Sequence, residues 1–340
     1  MNFGGIEIYC PMCREELAES EQELACSGCR RRFPIASGIP DLRVFADPYI
    51  GMEADRKKAA DLDARAAQET FSGLLDYYYG ITAVVPPNHA RNYKRSLLGG
   101  PARAAAALAS WERVSGTSAD GRLLEIGCGT GPMLLAAAQR GYRVAGVDIA
   151  LRWLVAARKR LAEAGVRVPL ICACAEALPF REEGFDGVAI DSAIEMMTDQ
   201  ARALREAHRV LAPGGRLFLA TPNRFSLGPD PHLGVPGGGW LPRPLLEALA
   251  RRQGALTPKR NLLWAGSLSR LIRAAGFDGA RLEAPAIADA QLSGLSGAMR
   301  AAAGVYQAAR RTPVAGPCLR LVGPLLHATA HKPRGAGREV

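Results

Sequence analysis

Glu125-Ile126-Gly127-Cys128-Gly129-Thr130-Gly131 follows Leu123-Leu124 and precedes residues 132–140, which hold no glycine. Leu123 to Ile126 reads as a short buried strand, the three glycines as a turn, and residues 132–140 as a helix. Arg143-Val144-Ala145-Gly146-Val147-Asp148 reads as a second strand ending in an acid. Glycines allow a nucleotide-like ligand to approach the backbone closely, and an acid at the end of the second strand can accept hydrogen bonds from two ribose hydroxyls. This is the physics of an adenosine cofactor on a doubly wound α/β sheet. Two rival sites fail on spacing. A GxGxxG dinucleotide loop needs its third glycine where Pro132 stands, and no Gly-Lys-Ser or Gly-Lys-Thr follows to make a phosphate-binding loop.

The segment Glu125–Gly131 closely resembles the first motif of the class I S-adenosylmethionine-dependent methyltransferases, and Asp148 matches that family's ribose-binding acid. Further stretches agree in order. Cys174-Ala175-Glu176-Ala177-Leu178-Pro179-Phe180 resembles the loop after the third strand, with Cys174 at the usual acid position. Phe185 to Asp191 resembles the fourth strand, and Arg209 to Leu217 the turn into the fifth. The resemblance covers residues 118–284 and implies a Rossmann-like sheet with helices on both faces. It implies S-adenosyl-L-methionine as cofactor, held by Glu125, Gly127, Cys128, Gly129, Gly131, Asp148, Ile149, Cys174, Ala175, Glu176 and Asp191.

Four of the eight cysteines come early, as Cys10-Pro-Met-Cys13 and Cys26-Ser-Gly-Cys29. Two CxxC pairs at this separation form a zinc-ribbon signal, because a two-residue gap lets both thiolates of a pair face one ion. Four thiolates close the shell without a water position, so the expected Zn2+ is structural. A module this small buries little core, and metal binding would supply much of its folding energy. The ending Gly38-Ile39-Pro40-Asp41-Leu42 resembles Trm112-like zinc modules, which occur fused in front of methyltransferase domains. The expected organisation is a ribbon over residues 1–48, a helical linker and possible lid over 49–117, and a methyltransferase domain over 118–340. An acceptor-site insertion is expected at about 225–265.

Composition bounds the function more loosely. The chain has 340 residues, 48% hydrophobic and 22% charged, which argues against wholesale disorder. No apolar run reads as a membrane span, and no signal-peptide pattern opens the chain, so the expected compartment is the cytoplasm. The net charge of +10 is uneven: residues 1–50 carry five basic and eight acidic side chains. The basic remainder is compatible with phosphates, nucleic acid or an acidic small substrate. Oligomeric state is not legible.

The catalytic expectations are Asp191, at the end of the fourth strand, and His232, in the Gly- and Pro-rich stretch after the fifth. A neutral imidazole there is suited to accept a proton from a hydroxyl or to orient the substrate. In Asp191-Ser192-Ala193-Ile194-Glu195-Met196, Met196 stands where the resembling family often has histidine. Asn223, Arg224, His232 and Trp240 are expected at the acceptor. Tyr78 and Tyr79 leave two readings open: a lid over cofactor or substrate, or the buried face of a docking helix. The leading expectation is methyl transfer to a small-molecule acceptor, a hydroxyl of a natural product or glycan-related compound. RNA base methylation is the second, resting on the ribbon, Arg30 to Arg32 and the net charge, and a non-catalytic zinc adaptor the third.

Overall fold

The computed structural model describes residues 1–115, 121–228, 235, 237–253, 259–287, 292 and 297–334. The chain opens with a short hairpin, β1 (Asn2–Phe3) and β2 (Ile6–Glu7). An antiparallel sheet in sequential order follows: β3 (Leu17–Glu19), β4 (Glu23–Cys26), β5 (Arg32–Ala36) and β6 (Ile39–Pro40). Four helices bridge to the larger unit: α1 (Met52–Ala66), α2 (Phe71–Gly80), α3 (Pro87–Leu98) and α4 (Gly100–Ser115). The hydroxyl of Thr70 accepts from the Gly73 amide and so starts α2.

The larger unit alternates strand and helix: β7 (Arg122–Ile126), α5 (Pro132–Ala138), β8 (Arg143–Asp148), α6 (Leu151–Glu163), β9 (Leu170–Cys172), β10 (Phe185–Asp191), α7 (Gln200–Val210) and β11 (Leu211–Pro222). Then come α8 (Arg243–Arg252), α9 (Ala265–Ala274), β12 (Asp278–Glu283), α10 (Gly297–Arg310), α11 (Ala315–Val322) and β13 (Leu325–His331). The sheet order is β12-β13-β11-β10-β7-β8-β9. Neighbours from β9 through β11 are parallel, while β13 runs antiparallel between β11 and β12. Leu319 to Val322 end α11, and the last strand begins only at Leu325.

Parallel strands covered on both faces need apolar residues on both. In β7, Leu124 and Ile126 face a core shared with α7 and α9, whereas Leu123 packs with Leu108, Trp111, Leu134 and Leu154 on the face of α4 to α6. The N-terminal sheet belongs to the first of these cores, through Ile8, Leu17, Leu24 and Phe33 beside Leu178, Phe180 and Ala207. Ile8 and Leu24 are fully buried, and each such side chain contributes about 1.5–3 kcal/mol.

Polar contacts fix the same docking. The Leu42 amide donates to the Cys172 carbonyl at 2.7 Å, and Asp41 makes a parallel bridge to Cys172, which covers the edge of β9. Arg14 pairs with Glu206 at 2.9 Å, and Arg158 donates to the Ser37 carbonyl at 2.6 Å. Beyond β6 the chain enters a buried ion network. Arg43 binds Asp41 through Nε and Nη2 and Asp55 through Nη1, each at 2.7 Å, and Arg152 binds Asp55 at 2.6 Å and Asp47 at 3.0 Å. Among the described residues, no helix is long and apolar enough to cross a membrane.

Candidate functional site

The carboxyl ends of β7 and β8 carry the first cavity, of about 310 Å³. The Gly127 and Cys128 amides both donate to the Val147 carbonyl, at 2.7 and 3.0 Å, and lay the glycine turn across β8. Gly127 has φ +74°, and a Cβ there would stand 2.3 Å from the Cβ of Ala193. Backbone conformation and space both require glycine. Asp148 accepts from the Gly129 amide at 2.7 Å and the Ala150 amide at 2.8 Å. Burial raises its carboxyl to about 6, against the pull of those two amides. The fully buried Glu125 accepts from the Leu134 amide at 3.0 Å, in the first turn of α5, and burial raises its carboxyl well above the ordinary range. Its side chain is therefore engaged with the helix start.

Of the residues expected to hold the cofactor, Gly127, Gly129, Asp148, Ile149, Ala175 and Glu176 line this cavity. Glu176 is held by the Thr198 and Asp199 amides, at 3.0 and 3.1 Å. Three expected residues stand behind the wall instead. Cys128 is buried in the core beneath α5, Gly131 packs on Ala157 at the start of α5, and the Cys174 thiol points to the Phe45 carbonyl at 3.6 Å. The sequence reading missed a whole side of the cavity, formed by Phe45, Asp47, Pro48 and Tyr49 from the bridge, with Arg152 and Trp153 from α6. No local pattern marks residues 45–49. The signal nearest to hand was the alternation of Asp41 and Arg43 within an otherwise apolar strand end.

A second, larger cavity of about 850 Å³ lies beside the first, at the ends of β10, β11 and β13. Ser192 lines both. Asp191 opens onto the second cavity and not the first; it accepts from the Ser192 hydroxyl at 3.1 Å, and burial raises its carboxyl. Glu195 also lines it. Its carboxylate accepts from the Thr221 hydroxyl at 3.0 Å, and burial raises it to about 7, with the neighbouring Asp191 charge adding to the rise. The sequence reading quoted Glu195 and passed over it for the missing histidine beside it. Arg103 from α4, Glu283 from β12, Arg260, and Tyr306 and Arg310 from α10 are among its other polar lining residues. Burial lowers His327 to about 4, so that imidazole is neutral.

The expected acceptor residues are scattered. Asn223 reaches the second cavity, but its amide donates to the carbonyls of Arg320 and Leu321 and its oxygen accepts from the Phe225 amide. It clasps the end of α11. Arg224 is exposed and lies over the Phe225 ring, and Trp240, half exposed, packs against that ring at 4.9 Å. His232 lies outside the described residues. Tyr78 is buried against Trp153 at 4.5 Å and Tyr79 meets it edge-on at 5.1 Å. Of the two readings, the structure shows the docking helix: α2 supports Trp153, a wall of the first cavity, from behind.

In the N-terminal module, the thiols of Cys10, Cys13, Cys26 and Cys29 gather with all four sulfurs within 4.8 Å of one another. Cys10 and Cys29 stand 3.6 Å apart, Cys13 and Cys26 3.3 Å. A zinc tetrahedron with Zn–S of about 2.3 Å has sulfur edges of about 3.8 Å, so the cluster fits the ion.

A family profile described as "Methyltransferase domain" matches residues 124–219. Among curated proteins, the ubiquinone biosynthesis O-methyltransferase of Pseudomonas aeruginosa is 39% identical over 104 residues, which is 30% of this chain and 45% of the relative. The demethylmenaquinone methyltransferase of Thermus thermophilus is 41% identical over 100 residues, 29% of this chain and 46% of the relative. The ubiquinone/menaquinone biosynthesis C-methyltransferase UbiE of Chromobacterium violaceum is 39% identical over 108 residues, 31% and 44%. The chain thus spans less than half the length of these relatives. Sheet order, glycine turn, Asp148 and the matched profile agree: this chain carries a class I S-adenosylmethionine methyltransferase domain behind a strand-rich module with a four-cysteine cluster.

Proposed function

We propose that this chain transfers a methyl group from S-adenosylmethionine to a small-molecule acceptor of quinone type, at a hydroxyl, in the larger cavity. The observation that carries the reading is the junction at Ser192, where an adenosine-sized cavity meets a larger one on the carboxyl side of β10. Ligands of open α/β sheets bind on that side. The quinone type comes from what the relatives are named for. Ubiquinol- and menaquinol-like rings are natural products with acidic hydroxyls, which suits the neighbouring carboxyls.

S-adenosylmethionine, when bound, supplies a methyl group on a positively charged sulfur that departs as a neutral thioether. Asp148 would hold the ribose, Gly127 and Gly129 would let the methionine end lie on the backbone, and Ile149 would cover the adenine. Glu195 is placed to take the hydroxyl proton of the acceptor, with Asp191 beside it. With its carboxyl raised to about 7 by burial, Glu195 exchanges a proton near neutral pH and, once ionised, can accept the hydroxyl proton as the new C–O bond forms. Alignment of acceptor and methyl supplies much of the rate. Zn2+ on the four cysteines would hold the module that delivers residues 45–49 to the cofactor cavity.

The test is calorimetric binding of S-adenosylmethionine to zinc-loaded protein, followed by labelled methyl transfer to a panel of catechols and hydroquinones. Binding lost in Asp148→Ala and label on a hydroxyl support the reading. A folded protein that binds no cofactor, or one that labels an RNA transcript and none of the panel, refutes it.

A further inference from the structure

Surface helices turn their polar side chains to water and their apolar ones inward. The helix pair α10–α11 departs from this, because its outward face also carries apolar side chains. In α10 the inward positions recur every three to four residues at Ala303, Tyr306, Gln307 and Arg310. The Tyr306 hydroxyl donates to the Pro285 carbonyl at 2.7 Å and the Gln307 amide to the Ile287 carbonyl at 2.8 Å, while Tyr306 and Arg310 line the larger cavity. The outward positions Ala301, Val305 and Ala308 are apolar, and Val305 is 71% exposed.

In α11 no residue is buried. Its outward stripe runs Val314, Pro317, Cys318, Leu321, with Val314 77% and Leu321 55% exposed. The Leu227 amide donates to the Val322 carbonyl at 3.1 Å, which sets a further exposed leucine beside the stripe. Arg311 and Arg320 are exposed at its flanks, and the sequence holds no Asp or Glu between Asp289 and Glu339.

We propose that this helix pair docks on the surface of an anionic lipid bilayer, lying in the interface and not spanning it. An exposed apolar face marks an interaction site, and apolar residues flanked by cations with no acids match the boundary between anionic head groups and acyl chains. A second copy of the chain is a poorer occupant. An isologous contact would set Arg311 and Arg320 against their own copies, with no carboxylate in the helix pair itself to pair them. The first of these helices also lines the larger cavity, through Tyr306 and Arg310, so a lipid-soluble acceptor would enter beside the docked face. This last clause rests on the proposed quinone-type acceptor; the docking itself does not.

The experiment is co-sedimentation of the zinc-loaded full chain with phosphatidylcholine vesicles, with and without phosphatidylglycerol. It is repeated for Leu321→Asp, Val305→Asp and the pair Arg311→Glu with Arg320→Glu. Binding should be on the order of tenfold tighter to the anionic vesicles and weaken with salt. Each variant should lose it while keeping its circular dichroism and cofactor binding. Equal binding by folded Leu321→Asp and parent protein overturns the proposal, as does no binding to either vesicle. A parent dimer that Leu321→Asp dissociates gives the face to a second copy and also overturns it. Because the assay needs neither acceptor nor turnover, its failure is distinct from failure of the methyl-transfer reading.

Discussion

Replacing Asp55 with alanine should damage the fold more than any exposed ion pair would. Its carboxylate is fully buried and accepts three bonds: from Arg43 at 2.7 Å, Arg152 at 2.6 Å and the Leu151 amide at 2.9 Å. The Arg43 side chain has no exposure and that of Arg152 8%. Removing one partner of a buried pair costs about 3–5 kcal/mol, because it strands a charge. Here Arg43 keeps Asp41 and Arg152 keeps Asp47, so the lower end, about 3 kcal/mol, is expected. With a urea slope of about 3 kcal/mol/M, the unfolding midpoint should fall by about 1 M. The orphaned Leu151 amide begins α6 just after Ile149, so cofactor affinity should fall as well. The assay is urea unfolding followed by circular dichroism, with calorimetry of S-adenosylmethionine on the folded protein. A midpoint shift under about 0.3 M, equivalent to about 1 kcal/mol, would refute the account of the network as a structural clasp between module and cofactor loop.

Gly127→Ala should cost about 1–2 kcal/mol from the left-handed backbone and about 1–3 kcal/mol from the contact with Ala193, and weaken cofactor binding at least tenfold by calorimetry. Unchanged affinity would mean that the turn does not cradle the cofactor. The transfer rate should rise with pH through about 7 as Glu195 ionises and then level off, and Glu195→Gln should flatten the profile and slow turnover. The same shift has a stability sign. Burial raises the folded carboxyl from 4.5 to about 7, so its contribution is full below pH 4.5 and lost as pH rises through about 7. Glu195→Gln should therefore gain stability over the parent at pH 8, by at most about 3 kcal/mol; equal unfolding midpoints at pH 5 and pH 8 would count against the burial argument. Stripping metal with a chelator should lower the thermal midpoint of the whole chain, since the cysteine module shares its core with β9 and α7, and zinc should restore it. A metal-free protein melting at the parent's temperature would exclude structural zinc.

The parts legible in the sequence were those whose cause is local. The glycine turn, Asp148 and the two CxxC pairs each need only neighbours along the chain to declare their chemistry, and the order of the strands followed from the order of the motifs. The bridge was not legible. Arg43 meets the Ile149 carbonyl across 106 positions, and nothing near Phe45 or Tyr49 says that they close a cavity around Asp148. Cys174 was assigned from its place in a loop, but a one-residue alternation decides whether a side chain faces cavity or core, and it faces the Phe45 carbonyl. Asn223 is polar at a strand end, where a ligand contact and a clasp on a distant helix read alike. Glu195 carried no mark until burial beside Asp191 and Thr221 gave it an unusual carboxyl.

The antiparallel strand β13 separates β11 from β12, yet both are made before it. Between Glu283 and Leu325 a ribosome adding ~5–20 residues per second needs about 2–8 s, and through that interval β11 has an open edge and β12 no partner. The nascent sheet therefore waits, half built, for a strand that must slot into a gap and cannot simply add to a rim. Any change that weakens β13, at Leu326 or Ala328 for example, should lower the yield of folded protein more than it lowers the stability of what has folded.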